Sequence, residues 1–199
     1  MYKAIFFLIL LFQACSKNKN VFNYPNTKEV NQFDIYHGIK VADPYRWLED
    51  DLSKETEDWI KLQNKETFKY LKKIPYRNKI KKRIKELNDY EKIGAPFKRG
   101  KYEYFYKNTG LQNHSVLYRR PIGSLQNEQV FLDPNKFSDD GTVALRGIYF
   151  SEDYSKATYL ITEGGSDWRK AVTIDVESRE IIEDTLKNIK FSGLSWKKN

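Results

Sequence analysis

The chain has 199 residues, of which 31% are charged and 40% hydrophobic, and its formal net charge is +8 at pH 7. Together with a mean hydropathy of -0.74, this composition excludes a membrane-embedded or disordered protein and fits a soluble globular protein of one domain or two partial domains. The 35 Lys and Arg residues are spread along the whole length without a recognition motif, so we expect no nucleic-acid partner.

The first residues, 1–15, are predicted to be an export signal. Lys3 gives a positive start, residues 4–12 are an unbroken apolar run, and Cys15 is the only cysteine. The run is too short to span a bilayer, so it predicts a secretory signal rather than an anchor helix. At Cys15 two alternatives stay open: lipidation at a lipoprotein cleavage site, which we favour, and ordinary secretory cleavage beside an incidental thiol.

Residues 24–90 are predicted to form a helical segment after a polar tether of residues 16–23. Ser53 is the expected N-cap of a helix that Pro75 ends, and a second helix is predicted over residues 78–87. Each helix has an apolar side at three-to-four-residue spacing: Trp59, Ile60, Thr67, Tyr70 and Leu71 in the first, and Ile80, Ile84 and Leu87 in the second. The lysine-rich face of the second helix is interpreted as solvated surface rather than as a patch for anions.

Residues 91–199 change to two-residue alternation and short aromatic or β-branched runs, which predict strands joined by tight turns. The six predicted strands are 102–106, 116–118, 130–132, 148–150, 158–161 and 172–176. Residues 147–153 are echoed at 193–199, an offset of 46 residues, and more faintly at 94–100. This spacing predicts two blades and the start of a third of a β-propeller. The third copy stops at its turn, so the pattern favours an interrupted rather than a complete ring.

Nine short strings, taken in chain order, resemble the N-terminal part of the prolyl oligopeptidase family. They are residues 43–50, 63–64, 75–77, 110–113, 116–118, 132–135, 140–145, 165–168 and 190–193. The resemblance runs from about Tyr24 to the last residue. One local departure is Tyr154, which stands where the family usually has glycine and predicts a less tight turn.

The resemblance implies an α-then-all-β chain that lacks the family's C-terminal α/β-hydrolase domain. Residues 24–90 would pack on that peptidase domain, and residues 91–199 would begin a seven-bladed propeller that gates access for short peptides cut after proline. The implied enzyme is a monomeric serine endopeptidase. The export signal of residues 1–15 places it in the periplasm or lipid-anchored to the envelope of a bacterium, as an expectation. Its Ser, Asp and His triad would lie outside this chain, which alone would be inactive. The alternative is a non-catalytic, lipid-anchored β-rich binding module or a pseudogene remnant.

A search of the residues themselves finds no catalytic set. The nearest approach to a G-x-S-x-G nucleophile elbow is at residues 193–197, which lack the second glycine around Ser195. His37 and His114 are the only candidate general bases, and surface or packing roles are expected for both. With one cysteine and two separated histidines, no zinc-type metal site and no cofactor are expected.

Four residues near the end of the chain are candidates for contacts with substrate or with the peptidase domain. Phe191 matches the family's propeller phenylalanine that lines a substrate pocket, and its alternative role is an inward-facing packing residue. Arg146 and Asp167 lie in matching strings and are candidates for charge pairing at the domain interface, although loop or turn roles are favoured. Trp168 is expected to be a packing residue.

Overall fold

The computed structural model describes residues 24–198. The chain divides into two compact units, Met1–Lys79 and Ile80–Asn199, and each is considered separately below. This division falls inside the second helix, whereas the sequence suggested a limit at residue 90. The predicted domain limits, including those of the export signal and tether, stay predictions.

The described part of the first unit begins with an antiparallel hairpin, β1 (Phe33–Tyr36) and β2 (Ile39–Ala42). His37 and Gly38 join the strands with φ values of 51° and 81°. Two left-handed residues are the signature of a two-residue turn that matches the strand twist. The hairpin, absent from the sequence predictions, is followed by a 3-10 helix, Arg46–Glu49. The Arg46 guanidinium donates to the carboxylates of Asp34 and Asp43 and so connects this turn to β1.

Both predicted helices are present, as α1 (Lys54–Lys72) and α2 (Arg77–Asn88). The Ser53 N-cap is confirmed, because its Oγ accepts a hydrogen bond from the Thr56 amide at 3.2 Å. The apolar stripe of α2 is about half exposed in the structure at all three positions, Ile80, Ile84 and Leu87. Among residues 24–198, neither helix combines the length and apolar character needed to cross a membrane.

The second unit contains two antiparallel sheets. The first comprises β3 (Lys92–Ile93), β4 (Phe97–Arg99), β5 (Tyr102–Asn108), β6 (Val116–Pro121) and β7 (Gln129–Leu132). The strand order is β3-β5-β6-β7, with β4 also pairing to β5. A 3-10 helix, Pro134–Lys136, leads out of this sheet towards the second one.

The second sheet is a four-stranded meander in the order β11-β10-β9-β8. Its strands are β8 (Ala144–Phe150), β9 (Lys156–Thr162), β10 (Trp168–Asp175) and β11 (Leu186–Lys190). All six strands predicted from alternation are confirmed, within a few residues at their ends. Residues 193–198, the last copy of the repeat, form no regular element.

One apolar core lies in the second unit and draws side chains from both sheets. Tyr104 of β5, which has no exposed surface, stacks on Phe97 at 5.6 Å and meets Phe150 of β8 at 4.9 Å between ring centroids. The fully or largely buried members are Tyr104, Leu117, Phe131, Ala157, Tyr159, Val172, Ile174 and Val176. Burial raises the pKa of Tyr104 to about 12, so its hydroxyl stays neutral inside the core.

A buried arginine connects the two sheets at one end. The Arg119 guanidinium of β6 donates to the backbone carbonyls of Val176 and Glu177, just after β10. The Glu177 carboxylate in turn accepts from the Tyr102 hydroxyl at 3.1 Å and pairs with Lys101. Because a buried guanidinium needs acceptors, these carbonyls stabilise its charge while fixing the turn that supplies them.

The turn between β8 and β9 corrects one expectation. Tyr154 was expected to loosen this turn, yet its amide donates to the Ser151 carbonyl at 3.1 Å and its φ is 61°. The backbone therefore keeps the left-handed shape that glycine would adopt. An aromatic residue in this region carries a strain of about 1 kcal/mol. The turn is held by Asp153, whose carboxylate accepts from the Ser155 amide at 3.0 Å.

Candidate functional site

Phe191 lies directly after β11, at the exposed edge of the second sheet. Its side chain is 77% exposed and its φ is 51°, a left-handed value that is uncommon for a bulky residue. Phe191 is therefore exposed among the described residues, and both its substrate-pocket role and its packing alternative stay predictions. A large apolar side chain held out to solvent on strained backbone is typical of binding surfaces rather than of cores.

A lysine side chain lies between Phe191 and a second exposed aromatic ring. The Lys190 Nζ is 5.0 Å from the Phe191 ring centroid and 5.0 Å from the Trp168 ring centroid. Lys190 and Trp168 are directly paired across β11 and β10. Trp168 was expected to be a packing residue, and among the described residues it is 53% exposed with its ring against Lys190. We call these three residues the Phe191 cluster.

The backbone around the Phe191 cluster is held by the neighbouring strand. Arg169 of β10 pairs with Ile189, and its guanidinium donates to the Ser192 carbonyl at 3.2 Å. The ladder between β10 and β11 shifts register after Arg169, and Asn188 takes a φ of 62°. Such a bulge bends the edge strand and re-aims the residues that follow it, here Lys190 and Phe191.

A separate cavity of about 230 Å³ lies in the second unit beside the bulged start of β8. It is lined by Tyr106, His114, Ser115, Pro134, Leu145, Arg146 and Gly147. Arg146 sits at the bulge and is exposed, and Asp167 is exposed just before β10. Neither Arg146 nor Asp167 belongs to the Phe191 cluster.

The candidate acid–base residues have structural surroundings. The His114 ring Nε2 lies 3.0 Å from the Gly141 carbonyl, and the His114 backbone exchanges two hydrogen bonds of 2.9 Å with the Asn135 side chain. His37 forms the β1–β2 turn, and Ser195 is exposed outside the strands. Residues 24–198 contain no group of three or more His, Cys, Asp or Glu side chains arranged to hold a metal ion.

Three aspartates with perturbed titration cap turns in the second unit. Amide and side-chain hydrogen bonds from Thr142, Ser155 and Ser178 lower the pKa of Asp140, Asp153 and Asp175 respectively. A carboxylate with a lowered pKa is a poor general acid or base at neutral pH. These groups therefore stabilise turns and are not candidates for catalysis. Cys15, the predicted lipidation site, lies outside the described residues.

Comparison with known proteins decides the family. The family model described as "Prolyl oligopeptidase, N-terminal beta-propeller domain" matches residues 25–199. The chain belongs to the prolyl oligopeptidase family. A prolyl endopeptidase of Elizabethkingia miricola is 50% identical to it over 186 residues, which cover 93% of this chain and 26% of the relative. The prolyl endopeptidase of Elizabethkingia meningoseptica is 48% identical over the same coverage.

Solved structures of the prolyl oligopeptidase family agree with this assignment. Prolyl oligopeptidase B from Galerina marginata, bound to a 35mer hydrolysis and macrocyclization substrate, superposes with a TM-score of 0.66 at 28% identity. That match covers 86% of this chain and 27% of the solved chain. This chain thus spans about a quarter of the length of the relatives it matches, and its described sheets belong to the N-terminal propeller domain of the family.

Proposed function

We propose that this chain is the N-terminal part of a serine endopeptidase that cleaves short peptides after proline. The observation that carries the proposal is the family match over residues 25–199, joined to an exposed Phe191 at a position where the family resemblance implies substrate contact. The two Elizabethkingia relatives, both prolyl endopeptidases, support the substrate class. The propeller's role in this proposal is to restrict access to short peptides.

The two sheets are proposed to be the first two blades of a seven-bladed propeller, with a third beginning at Gly193. Gly147 and Gly193, equivalent in the repeat, both approach the Tyr149 side chain: a Cβ added at Gly147 would lie 3.2 Å from a ring carbon, and one added at Gly193 would lie 3.4 Å from the hydroxyl oxygen. Trp196 also donates its indole N–H to the Tyr149 carbonyl at 3.0 Å. These contacts between the third copy of the repeat and β8 support the proposal, because successive blades pack against each other.

Residues 24–90 are proposed to pack against the peptidase domain of the complete enzyme. Support comes from the apolar side chains that α2 leaves about half exposed. A helix face with regularly spaced apolar residues is stable when another surface covers it. The polar face of the same helix, rich in lysine, would remain in water.

The catalytic chemistry is proposed to reside outside these 199 residues. In a serine peptidase of this kind, serine attacks the scissile carbonyl, histidine takes and returns the proton, and aspartate orients the histidine. This chain would supply part of the propeller that restricts access to the active site. It would also supply the Phe191 side chain, which would pack on an apolar residue of the bound peptide. Alone, it is expected to hydrolyse nothing.

Export and lipid attachment are proposed from residues 1–15. Bacteria that express the chain and are fed a labelled fatty acid should attach the label to the chain. The substitution Cys15→Ala should abolish this labelling. Export with no label in the unsubstituted chain would favour ordinary secretory cleavage instead.

A chimera tests the proposed function directly. Residues 24–199 of this chain would replace the matching quarter of the Elizabethkingia miricola prolyl endopeptidase, to which the chain is 50% identical. We expect the chimera to fold and to release p-nitroaniline from a glycyl-prolyl p-nitroanilide, while the 199-residue chain alone releases none. A chimera that melts cooperatively but does not cleave this substrate would contradict the proposal, as would turnover by the chain alone.

A further inference from the structure

The Phe191 cluster contains a positive charge whose role the proposed function leaves open. The Lys190 ammonium contacts two ring faces, yet among residues 24–198 no carboxylate forms an ion pair with it. The neighbouring lysine on β10, Lys170, is by contrast paired with Glu163 at 2.5 Å. A cation that is exposed, located between two aromatic rings and unpaired is ready to accept an anionic group from outside.

The surroundings of Lys190 favour an anion over a cation. Lys187 on β11 and Arg169 on β10 add positive charge, and Arg169 uses its guanidinium on the Ser192 carbonyl. Asp167, just before Trp168, is the acidic neighbour in sequence, and it makes no ion pair with Lys190. Apolar contact and negative charge are therefore the two properties that this surface complements.

We propose that Lys190 is a specificity-determining residue that selects peptides with an acidic side chain next to the apolar residue packed on Phe191. This inference rests on the proposed function and names a substrate class for it: prolyl peptides that carry Asp or Glu in the stretch before the proline. In the bound state the peptide carboxylate lies on the Lys190 Nζ while its apolar neighbour covers the Phe191 ring.

The geometry explains why a single exposed lysine contributes to selection. A free lysine loses much rotamer freedom when it forms an ion pair, which is why exposed pairs are weak. Here contact with two rings already restricts the ammonium, and the apolar peptide residue removes water beside the new pair. We therefore expect about a 3-fold preference for the acidic peptide at low salt, within the range of exposed ion pairs, and a smaller one in high salt.

The test uses the full chain, labelled with ¹⁵N, and two peptides that differ by one charge. The probes are glutamyl-phenylalanyl-proline and glutaminyl-phenylalanyl-proline, both acetylated and amidated. We expect both to shift the Trp168 indole and Phe191 amide signals, with the glutamyl peptide binding about 3-fold more tightly in low salt. Lys190→Gln should abolish this preference while retaining binding of both peptides, and Lys190→Arg should keep it.

Lys187→Gln is the matched control, because it removes a charge from the same strand without touching either ring. The preference should survive in this variant. Equal affinity of the two peptides for the unsubstituted chain would overturn the inference, as would a lost preference in Lys187→Gln or no response of Trp168 and Phe191 to either peptide. The chimera assay decides the proposed function separately, so an active chimera without acidic preference would remove this inference alone.

Discussion

The two units of this chain are stabilised in different ways. Residues 80–198 bury a continuous set of aromatic and aliphatic side chains, centred on Tyr104, between two sheets. Among residues 24–79 only the Thr56 side chain is buried, and the hairpin and helices there are held by caps and by charges such as Arg46 with Asp34 and Asp43. A chain segment with few buried apolar groups and many solvent-exposed hydrogen bonds opens at low free energy.

The two units differ in how much of their apolar surface they bury within this chain. The second unit has an apolar core of its own, whereas the apolar side chains of the first unit remain largely in contact with solvent. Since apolar burial is the dominant stabilising term in folding, the first unit would gain more than the second from a surface that covered these side chains. That difference agrees with the proposal that residues 24–90 pack on the peptidase domain.

The largest effect is expected at the centre of the apolar core. Tyr104→Ala should destabilise the second unit by about 4 kcal/mol, because it empties a site where four aromatic rings meet the Tyr104 ring. Tyr104→Phe, the matched control, keeps the ring contacts and should change stability by about 1 kcal/mol or less. Urea unfolding, followed through a spectroscopic signal of the strands, measures the free energy of unfolding of both variants. Equal losses of stability in Tyr104→Ala and Tyr104→Phe would contradict a core that depends on the Tyr104 ring.

A smaller effect is expected where two turns of the second unit meet. Gly100 has a φ of 56°, and a Cβ there would lie 3.1 Å from the Tyr154 Cβ, whereas Gly123 has a φ of 86° and open space. Gly123→Ala should cost about 1 kcal/mol from backbone strain alone, and Gly100→Ala about 2 kcal/mol. Combining Gly100→Ala with Tyr154→Gly should bring its cost back to about 1 kcal/mol. An unchanged cost in that background would mean that Tyr154 is not the obstacle.

In the first unit, the next effect on stability is expected at the N-cap of α1. Ser53→Ala should destabilise α1 by about 1 kcal/mol, since the Thr56 amide loses its acceptor, whereas Ser53→Asp should preserve most of the stability. Amide hydrogen exchange of the first helical turn reports this change. Exchange that is as slow in Ser53→Ala as in the unsubstituted chain would show that α1 does not depend on the cap.

The β1–β2 hairpin of the first unit should also lose stability in acid. The hydrogen bond from Arg46 lowers the pKa of Asp34 below its ordinary value of 3.8. The associated stability is therefore present above pH 3.8 and lost as the pH falls through the lowered value. We expect β1–β2 amides to lose protection below about pH 4 while β9 amides keep theirs. Loss of hairpin protection already between pH 6 and 5 would contradict this origin.

Regular alternation of apolar and polar residues made the longer strands predictable. An N-cap serine, a helix-ending proline and apolar residues at three-to-four-residue spacing made the helices predictable. Strands β5, β9 and β10 place apolar side chains in the core at every second residue, and Ser53 marks the start of α1. Strands β1, β2, β3, β4 and β11 were missed because they are short and most of their side chains are exposed, so no burial pattern marks them.

The candidate site was only partly predictable. The family resemblance pointed to Phe191, but its left-handed backbone arises from a bulge against β10, which local sequence does not reveal. The contact between Lys190 and Trp168 depends on strand register, and Trp168 by itself reads as an ordinary core aromatic. Lys190 is the member of the cluster that the sequence analysis missed, and recognising β11 as the pairing partner of β10 is the signal that would have indicated it.

The central claim is that the exposed Phe191 ring contacts the peptide that the complete enzyme cleaves. It is tested most directly by the KM of the chimera for a prolyl peptide, compared between the unsubstituted form and Phe191→Ala. The account predicts a KM about 10-fold higher in Phe191→Ala, the loss of one phenyl contact, with kcat little changed. An unchanged KM in a chimera of equal thermal stability would contradict it.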